Sequence, residues 1–234
     1  MINIYIGFDS SNYGQELAYN VCKKSIFKYN NKVNIIPLIK KDLEEKKIFN
    51  RKNDDGSTEF TYTRFLVPYL NNYQDYAIFC DSDFLWNCNI LEVLKYINKG
   101  KAISCVQHKY NECKLKYKMD GQLQEWYPRK NWSSLIVFNC SHNDCKKLNL
   151  DNINNKSAKW LHRMEWTENI NEIPKTYNYL VEYYYDEENP KALHFTDGGP
   201  WYKRWYNITN KYDIILGNKW ISYLDDKEKN IIKL

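Results

Sequence analysis

Three short stretches of this 234-residue chain carry side chains whose types and spacing could do chemistry. The first is Asp81-Ser82-Asp83, directly after the apolar run Tyr76-Ala77-Ile78-Phe79-Cys80. Two carboxylates one residue apart at the carboxyl end of a strand make a hard-oxygen site suited to Mn²⁺ or Mg²⁺ and the phosphate oxygens such ions hold. A plain turn with two solvated aspartates would read the same way, but the position after a buried-looking strand favours the metal. The second is His194, which follows Ala192-Leu193 and precedes Phe195-Thr196-Asp197-Gly198-Gly199-Pro200-Trp201. It could complete a metal site while loop amides face phosphates, or it could be a hydrogen-bonded core histidine before a turn. The third is Arg64 in Tyr62-Thr63-Arg64-Phe65. Arginine is costly to bury without a partner, so it meets either a carboxylate (Asp81 or Asp83) or a phosphate, and both place it at the site.

Alternating elements must position these groups. Ile2 to Phe8 reads as a strand ending in Asp9, and Ser10-Ser11-Asn12 as the turn after it. A helix follows, with Leu17, Ala18, Val21, Cys22 and Ile26 on one face, then a second strand over Val33 to Ile39. This β-loop-α-β order predicts an α/β fold with a mostly parallel sheet flanked by helices. Lys40 to Ser57 is expected as a charged surface excursion. Thr58 to Leu70 reads as a helix with Pro68 as its stop or kink, and Leu91 to Ile97 as a short helix. Tyr76 to Cys80, Ala102 to Val106 and Ser134 to Phe138 read as strands, the first covered on both faces. Lys109 to Lys130 is polar and weakly patterned, as a mobile or ligand-covering loop would be. No repeat or linker divides the chain, so one domain over 1–234 is expected.

Composition narrows the class. Hydrophobic residues make up 43% of the chain and aromatic residues 16%, enough for a substantial core despite a mean hydropathy of -0.73. The net charge of +5 comes from lysines scattered along the whole length, the look of a solvated surface rather than a nucleic-acid face. No run approaches the roughly 18 apolar residues of a membrane span, and the N-terminus does not read as a signal peptide. The mixed charges of the stretch 218–234 suit a solvated helix better than an anionic membrane surface, although contact with one stays open. Seven cysteines without a CxxC pair read as small buried hydrophobes in a reducing compartment, so a cytoplasmic protein is expected. The aromatic-rich final third, with Trp160, Trp166, Trp201 and Trp205, could stack on sugars but reads mainly as core.

Taken in order, INIYIGFDSSN, TEFTYTRFLVPYL, AIFCDSDFLW, KNWSSLIVFN and HFTDGGPWY resemble the family 8 (glycogenin-like) glycosyltransferases of the GT-A, Rossmann-like fold. The resemblance runs from Asn3 to about Trp201. It implies a metal-dependent enzyme that moves a sugar from a nucleotide sugar, usually UDP-linked, to a glycan or other acceptor with retention at the anomeric carbon, using Mn²⁺. It further implies a nucleotide-binding half (1–106) and an acceptor half with a closing segment (107–234). Carried over residue by residue, Phe8, Asp9, Ser10, Asn12 and Tyr13 would hold the uracil and ribose. Arg64 would sit near the diphosphate and donor sugar. Asp81 and Asp83, with Ser82 between them, match the DxD motif, and His194 matches the histidine completing the metal site. Gly198 matches the diphosphate-facing glycine, while Asn131, Trp132, Ser133 and Ser134 fall beside the donor sugar. Two departures stand out. Gly199 occupies the place of the family's loop lysine, leaving the diphosphate to the metal, loop amides, or Lys203 and Arg204. Glu165-Trp166 stands nearest to the family's Asp-Gln pair, so Glu165 is the candidate for the group facing the anomeric carbon.

Other activities fit less well. A phosphatase of the Asp-x-Asp type would carry its motif on the first strand, where Asp9-Ser10-Ser11 lacks the second carboxylate. A nucleotidyltransferase would show a Gly-rich basic loop there, and FDSSNYGQ has neither feature. A nucleotide-sugar- or glycan-binding module without turnover is the non-enzyme alternative, because fold does not set function.

Overall fold

The computed structural model describes residues 2–11, 13–52, 56–110 and 112–232. Among the described residues eleven strands are formed: β1 (Asn3–Gly7), β2 (Asn34–Leu38), β3 (Tyr76–Cys80), β4 (Phe84–Trp86), β5 (Ile103–Cys105), β6 (Tyr117–Lys118), β7 (Gln122–Leu123), β8 (Leu135–Asn139), β9 (Ile170–Glu172), β10 (Tyr179–Leu180) and β11 (Ala192–His194). Six of them make the central sheet in the order β2-β1-β3-β8-β5-β9. Only β8 runs against the others, antiparallel to both β3 and β5, while β1, β2, β3, β5 and β9 point one way. The expected mostly parallel α/β sheet is therefore present.

The continuous apolar runs follow from having both faces covered. In β3, Ala77 and Phe79 enter one core cluster while Ile78 and Cys80 enter another. In β8, Ile136 and Phe138 share the first cluster, and Leu135 and Val137 the second. Successive side chains point to opposite faces, so a strand between two helical layers has no position to spare for a polar group. Helix α1 (Tyr13–Tyr29) closes one layer, with Tyr19, Cys22 and Ile26 on the sheet. Its Leu17, Ala18 and Val21 join a third cluster holding Trp201, Trp205 and Trp220. Trp166, Trp201 and Trp205 are buried core residues and Trp160 packs on the core from outside.

Two predicted elements come out differently. Thr58 to Leu70 is not one helix but turns, a 3-10 segment over Thr63–Leu66 and a single α-helical turn at Val67–Leu70. Pro68 lacks an N–H and so cannot carry a helix through this stretch; it opens the last turn instead. Lys40 to Ser57 is more than a surface excursion, since Lys40–Glu45 is helical and Leu43 and Phe49 are buried in the core. The predicted helix at Leu91 to Ile97 forms as a 3-10 helix over Ile90–Tyr96. All seven cysteines are free, six buried and Cys113 half-buried. Among the described residues, no helix is long and apolar enough to cross a membrane.

Candidate active site

Asp81, Ser82 and Asp83 link the central sheet to a second sheet of order β10-β11-β4. Two backbone hydrogen bonds hold the link: Asp81 N–H to the Ser134 carbonyl (2.9 Å) and Phe195 N–H to the Asp83 carbonyl (3.0 Å). The antiparallel pairing of β4 with β11 sets His194 opposite Phe84, and the two rings stack at 4.6 Å. Sheet register thus brings His194 beside Asp83, although 110 residues separate them. One ligand atom from each of Asp81, Asp83 and His194 lies within 4.8 Å of the others.

Hydrogen bonds around the histidine define its chemistry. Asn178 donates through Nδ2 to the Ser134 hydroxyl (2.8 Å) and towards the Asn131 carbonyl (3.5 Å), which turns its Oδ1 to His194 Nδ1 at 2.8 Å. An amide oxygen only accepts, so Nδ1 carries a proton and Nε2 faces Asp83 Oδ1 at 3.4 Å. Protonated, Nε2 pairs with the carboxylate; deprotonated, it offers its lone pair to a cation, the usual arrangement of a histidine ligand with a hydrogen-bonded far nitrogen. Asp83 Oδ1 is buried and, apart from His194 Nε2, has no polar partner among the described residues. A divalent ion fits this donor set of two carboxylates and one imidazole.

Arg64 is the counter-charge. Its Nη1 stands 2.8 Å from Asp81 Oδ1, Nε bonds the Phe60 and Thr61 carbonyls, and Nη1 also reaches the Ser133 carbonyl. The ion-pair reading of Arg64 is the one the geometry gives. Burial pushes the Asp81 carboxyl up to about 6, against the pull of Arg64 and with the repulsion of Asp83. Burial also opposes ionisation of Asp83, but facing His194, with Lys118 and Arg64 further off, holds it below the ordinary range.

The cluster forms the floor of a cavity of about 490 Å³. Of the remaining candidates, Arg64, Asn131, Ser133 and Ser134 line it with the floor. Asn131 is left-handed (φ +63°), donates to the Tyr110 hydroxyl and accepts from Thr196. Trp132 sits behind this wall, its indole N–H on the His108 carbonyl. Ser82 is buried and its hydroxyl is unpartnered, off the cavity wall. Gly198 is left-handed (φ +97°), and a Cβ there would stand 2.6 Å from Tyr202, but it too lies off the wall. Phe8, Asp9, Ser10 and Tyr13 are not on the wall either. Asp9 and Ser10 are tied to Glu59, whose neighbours Thr58 and Phe60 are. Asn12 lies outside the described residues.

Three further candidates, Glu165, Lys203 and Arg204, also lie off the cavity wall. Glu165 is exposed, 3.7 Å from Lys159, and does not reach the cavity. The helix Ala158–His162 instead turns His162 inward, where its Nδ1 meets the Ser133 hydroxyl at 3.1 Å. Lys203 is exposed, and Arg204 is bound by Glu182 through two nitrogens and by the Gly198 carbonyl. The cavity's lysines come from elsewhere: Lys159 from the helix Ala158–His162, and Lys118 and Lys130 from the stretch expected to be a covering loop. Its β6–β7 hairpin and the residues after it form one wall, with Met119, Leu123 and Gln124 among them. A polar segment with two-residue strands carries no periodic signal, so the sequence offered nothing to single out these lysines.

No protein-family model matches the chain. Over 235 aligned residues it is 38% identical to Protein CDI of Arabidopsis thaliana, covering 97% of this chain and 87% of that protein. Among solved structures it is similar to glycosyltransferase GlyE of Streptococcus pneumoniae TIGR4 (12% identity, TM-score 0.57), covering 95% of this chain and 64% of GlyE. It is similar as well to an active-site mutant of LgtC (12% identity, TM-score 0.55), covering 97% and 98% of the two chains. Mouse xyloside xylosyltransferase 1 follows the same path (12% identity, TM-score 0.52), over 83% of this chain and 97% of that one. The GT-A glycosyltransferase fold is shared by all three.

Proposed function

This chain belongs to the family of Protein CDI, and from that premise, joined to its fold, we propose that it is a metal-dependent glycosyltransferase of the family 8 type. It would take a UDP-linked sugar and pass the sugar to a carbohydrate-type acceptor with retention. The observation that carries this reading is the buried Asp81–Asp83–His194 cluster at the strand ends, with two carboxylates converging on a histidine oriented by Asn178. Strand ends are where ligands gather in open α/β sheets.

Asp81, Asp83 and His194 would hold Mn²⁺ or Mg²⁺, which supplies charge neutralisation for a departing diphosphate. Arg64 keeps Asp81 in place and ionised beside Asp83. Asn131, Ser133 and Ser134 offer the polar wall against which a donor sugar is oriented, with Trp132 packed behind them. Phe8, Asp9, Ser10 and Tyr13 are the proposed base-side contacts, next to the rim through Glu59; Gly198 is kept for the diphosphate-facing loop. The cluster draws on both proposed halves, 1–106 for the aspartates and 107–234 for the histidine, so neither half binds the ion alone. The free buried thiols support a cytoplasmic location.

Calorimetric titration of UDP with and without Mn²⁺, on wild type and Asp83→Ala, tests the reading. Metal-dependent binding that vanishes in the variant supports it, and a UDP-sugar panel then names the donor. No UDP binding in either condition sinks it. Saturable binding with no turnover on any UDP-sugar would favour the binding-module alternative.

A further inference from the structure

We infer that Lys118, on the β6–β7 hairpin, is the side chain that meets the diphosphate of the nucleotide donor, and that Asp120 positions it. The inference rests on the donor reading above and deepens it. A diphosphate brought onto the floor needs cationic donors besides the ion, and most cations around the cavity are committed. Arg64 is held by Asp81 and three carbonyls, Lys130 donates to the Glu125 carbonyl at 2.7 Å, and Lys159 pairs with Glu165. Arg204, near the loop after His194, is spent on Glu182. Lys118 is half-buried on the cavity wall, yet its ammonium makes no hydrogen bond or ion pair among the described residues. The Arg163 guanidinium likewise makes no hydrogen bond or ion pair among the described residues, but Lys118, unlike Arg163, stands on the turn fastened to the loop after His194, and its charge also bears on Asp81 and Asp83.

Burial and the charge of Lys130 disfavour the Lys118 ammonium, Asp197, Asp83 and Asp81 favour it, and without a hydrogen bond of its own it is suited to receive an entering anion. The backbone around Lys118 is built to keep it there. Met119 (φ +50°), Asp120 (φ +57°) and Gly121 (φ +137°) run left-handed in succession, a conformation non-glycine residues seldom adopt. The turn is tied down across the cavity mouth: Met119 N–H donates to the Asp197 carbonyl, and Gln124 Nε2 donates to the Asp197 carboxylate. The Asp120 carboxylate accepts the backbone N–H groups of both Lys203 and Arg204 at 2.9 Å. Lys118 and Asp120 thus work as a pair, one reaching in and the other fastening the turn to the loop that follows His194.

The test is calorimetry on the full chain with Mn²⁺ present, titrating UDP, inorganic pyrophosphate and uridine separately. Loss of a charged hydrogen bond to a phosphate predicts that Lys118→Met weakens UDP and pyrophosphate by about tenfold or more, with uridine unchanged. Lys118→Arg should recover most of the loss. Asp120→Ala should weaken UDP by a smaller factor, about threefold, and again leave uridine alone. Intact uridine binding shows in each case that the variant folds. UDP affinity unchanged in Lys118→Met overturns this inference and leaves the donor reading standing, while a wild-type chain that binds neither UDP nor pyrophosphate overturns both.

Discussion

Asp81, Asp83 and His194 hang from strands whose residues are almost all buried, in a register set by two sheets, and each has a neighbour that determines its protonation or orientation. Lys118 and Lys130, on the opposite wall, sit on a stretch with two-residue strands, exposed strand residues and a few hydrogen bonds to the loop after His194. The floor is set by buried strands and sheet register, whereas the cover is held by a few hydrogen bonds to the loop after His194. The proposed activity, which would fix an ion yet admit and release a nucleotide, would call for this division of labour.

The sharpest way to break the comparison is at the floor. On the proposed reading, Asp83→Ala removes a candidate cation ligand and is expected to reduce sugar transfer by about 10²–10³-fold, with cation binding lost in a Mn²⁺ titration. Asn178→Ala leaves all three ligands but releases the His194 ring; cation affinity should fall about 10–100-fold with the fold intact by circular dichroism. A cation affinity unchanged in Asn178→Ala would show that the strand alone orients the histidine.

Acid stability probes the wall between the two regions. His108 and His162 are pushed down to about 3, each chiefly by burial, with His194 acting on the first and Arg64 on the second. The unfolded chain takes up their protons near 6.5, so between there and about 3 it binds more protons than the folded chain. Stability should therefore be full above about 6.5 and decline as pH falls towards 3, by up to about 1.4 kcal/mol per pH unit for each histidine. Urea unfolding against pH should show a shallower decline in His162→Gln than in wild type. The smallest effect belongs to the cover: Gln124→Ala, which loses one buried hydrogen bond, should cost about 1 kcal/mol and speed amide exchange at Met119. Cation affinity at the floor should not move. If it falls together with the exchange protection, floor and cover are one unit after all.

The same division explains what could be read from the residues. Tyr76 to Cys80 announces a strand buried on both faces, and an Asp-Ser-Asp at its end is conspicuous for that reason alone. Ala192-Leu193-His194 left open whether the histidine was a ligand or a core residue before a turn, and Arg64 among inward apolar residues demanded a carboxylate or a phosphate. Glu165 lies away from the cavity because the helix Ala158–His162 ends just before it, and the inward face belongs to His162. The lysines at 118 and 130 were invisible because nothing in a short left-handed turn produces a hydrophobic period, and the turn acquires its place only by bonding to residues 70–90 positions further on.

The thiols offer a practical consequence. Six of the seven cysteines are sealed in the core, and Cys113, half-buried at the start of the covering segment, is the exception. A thiol-reactive dye applied to the native protein should therefore attach at that one position, five residues before Lys118, without any engineering. The chain carries its own attachment point for an optical reporter of whether its cavity is open or filled.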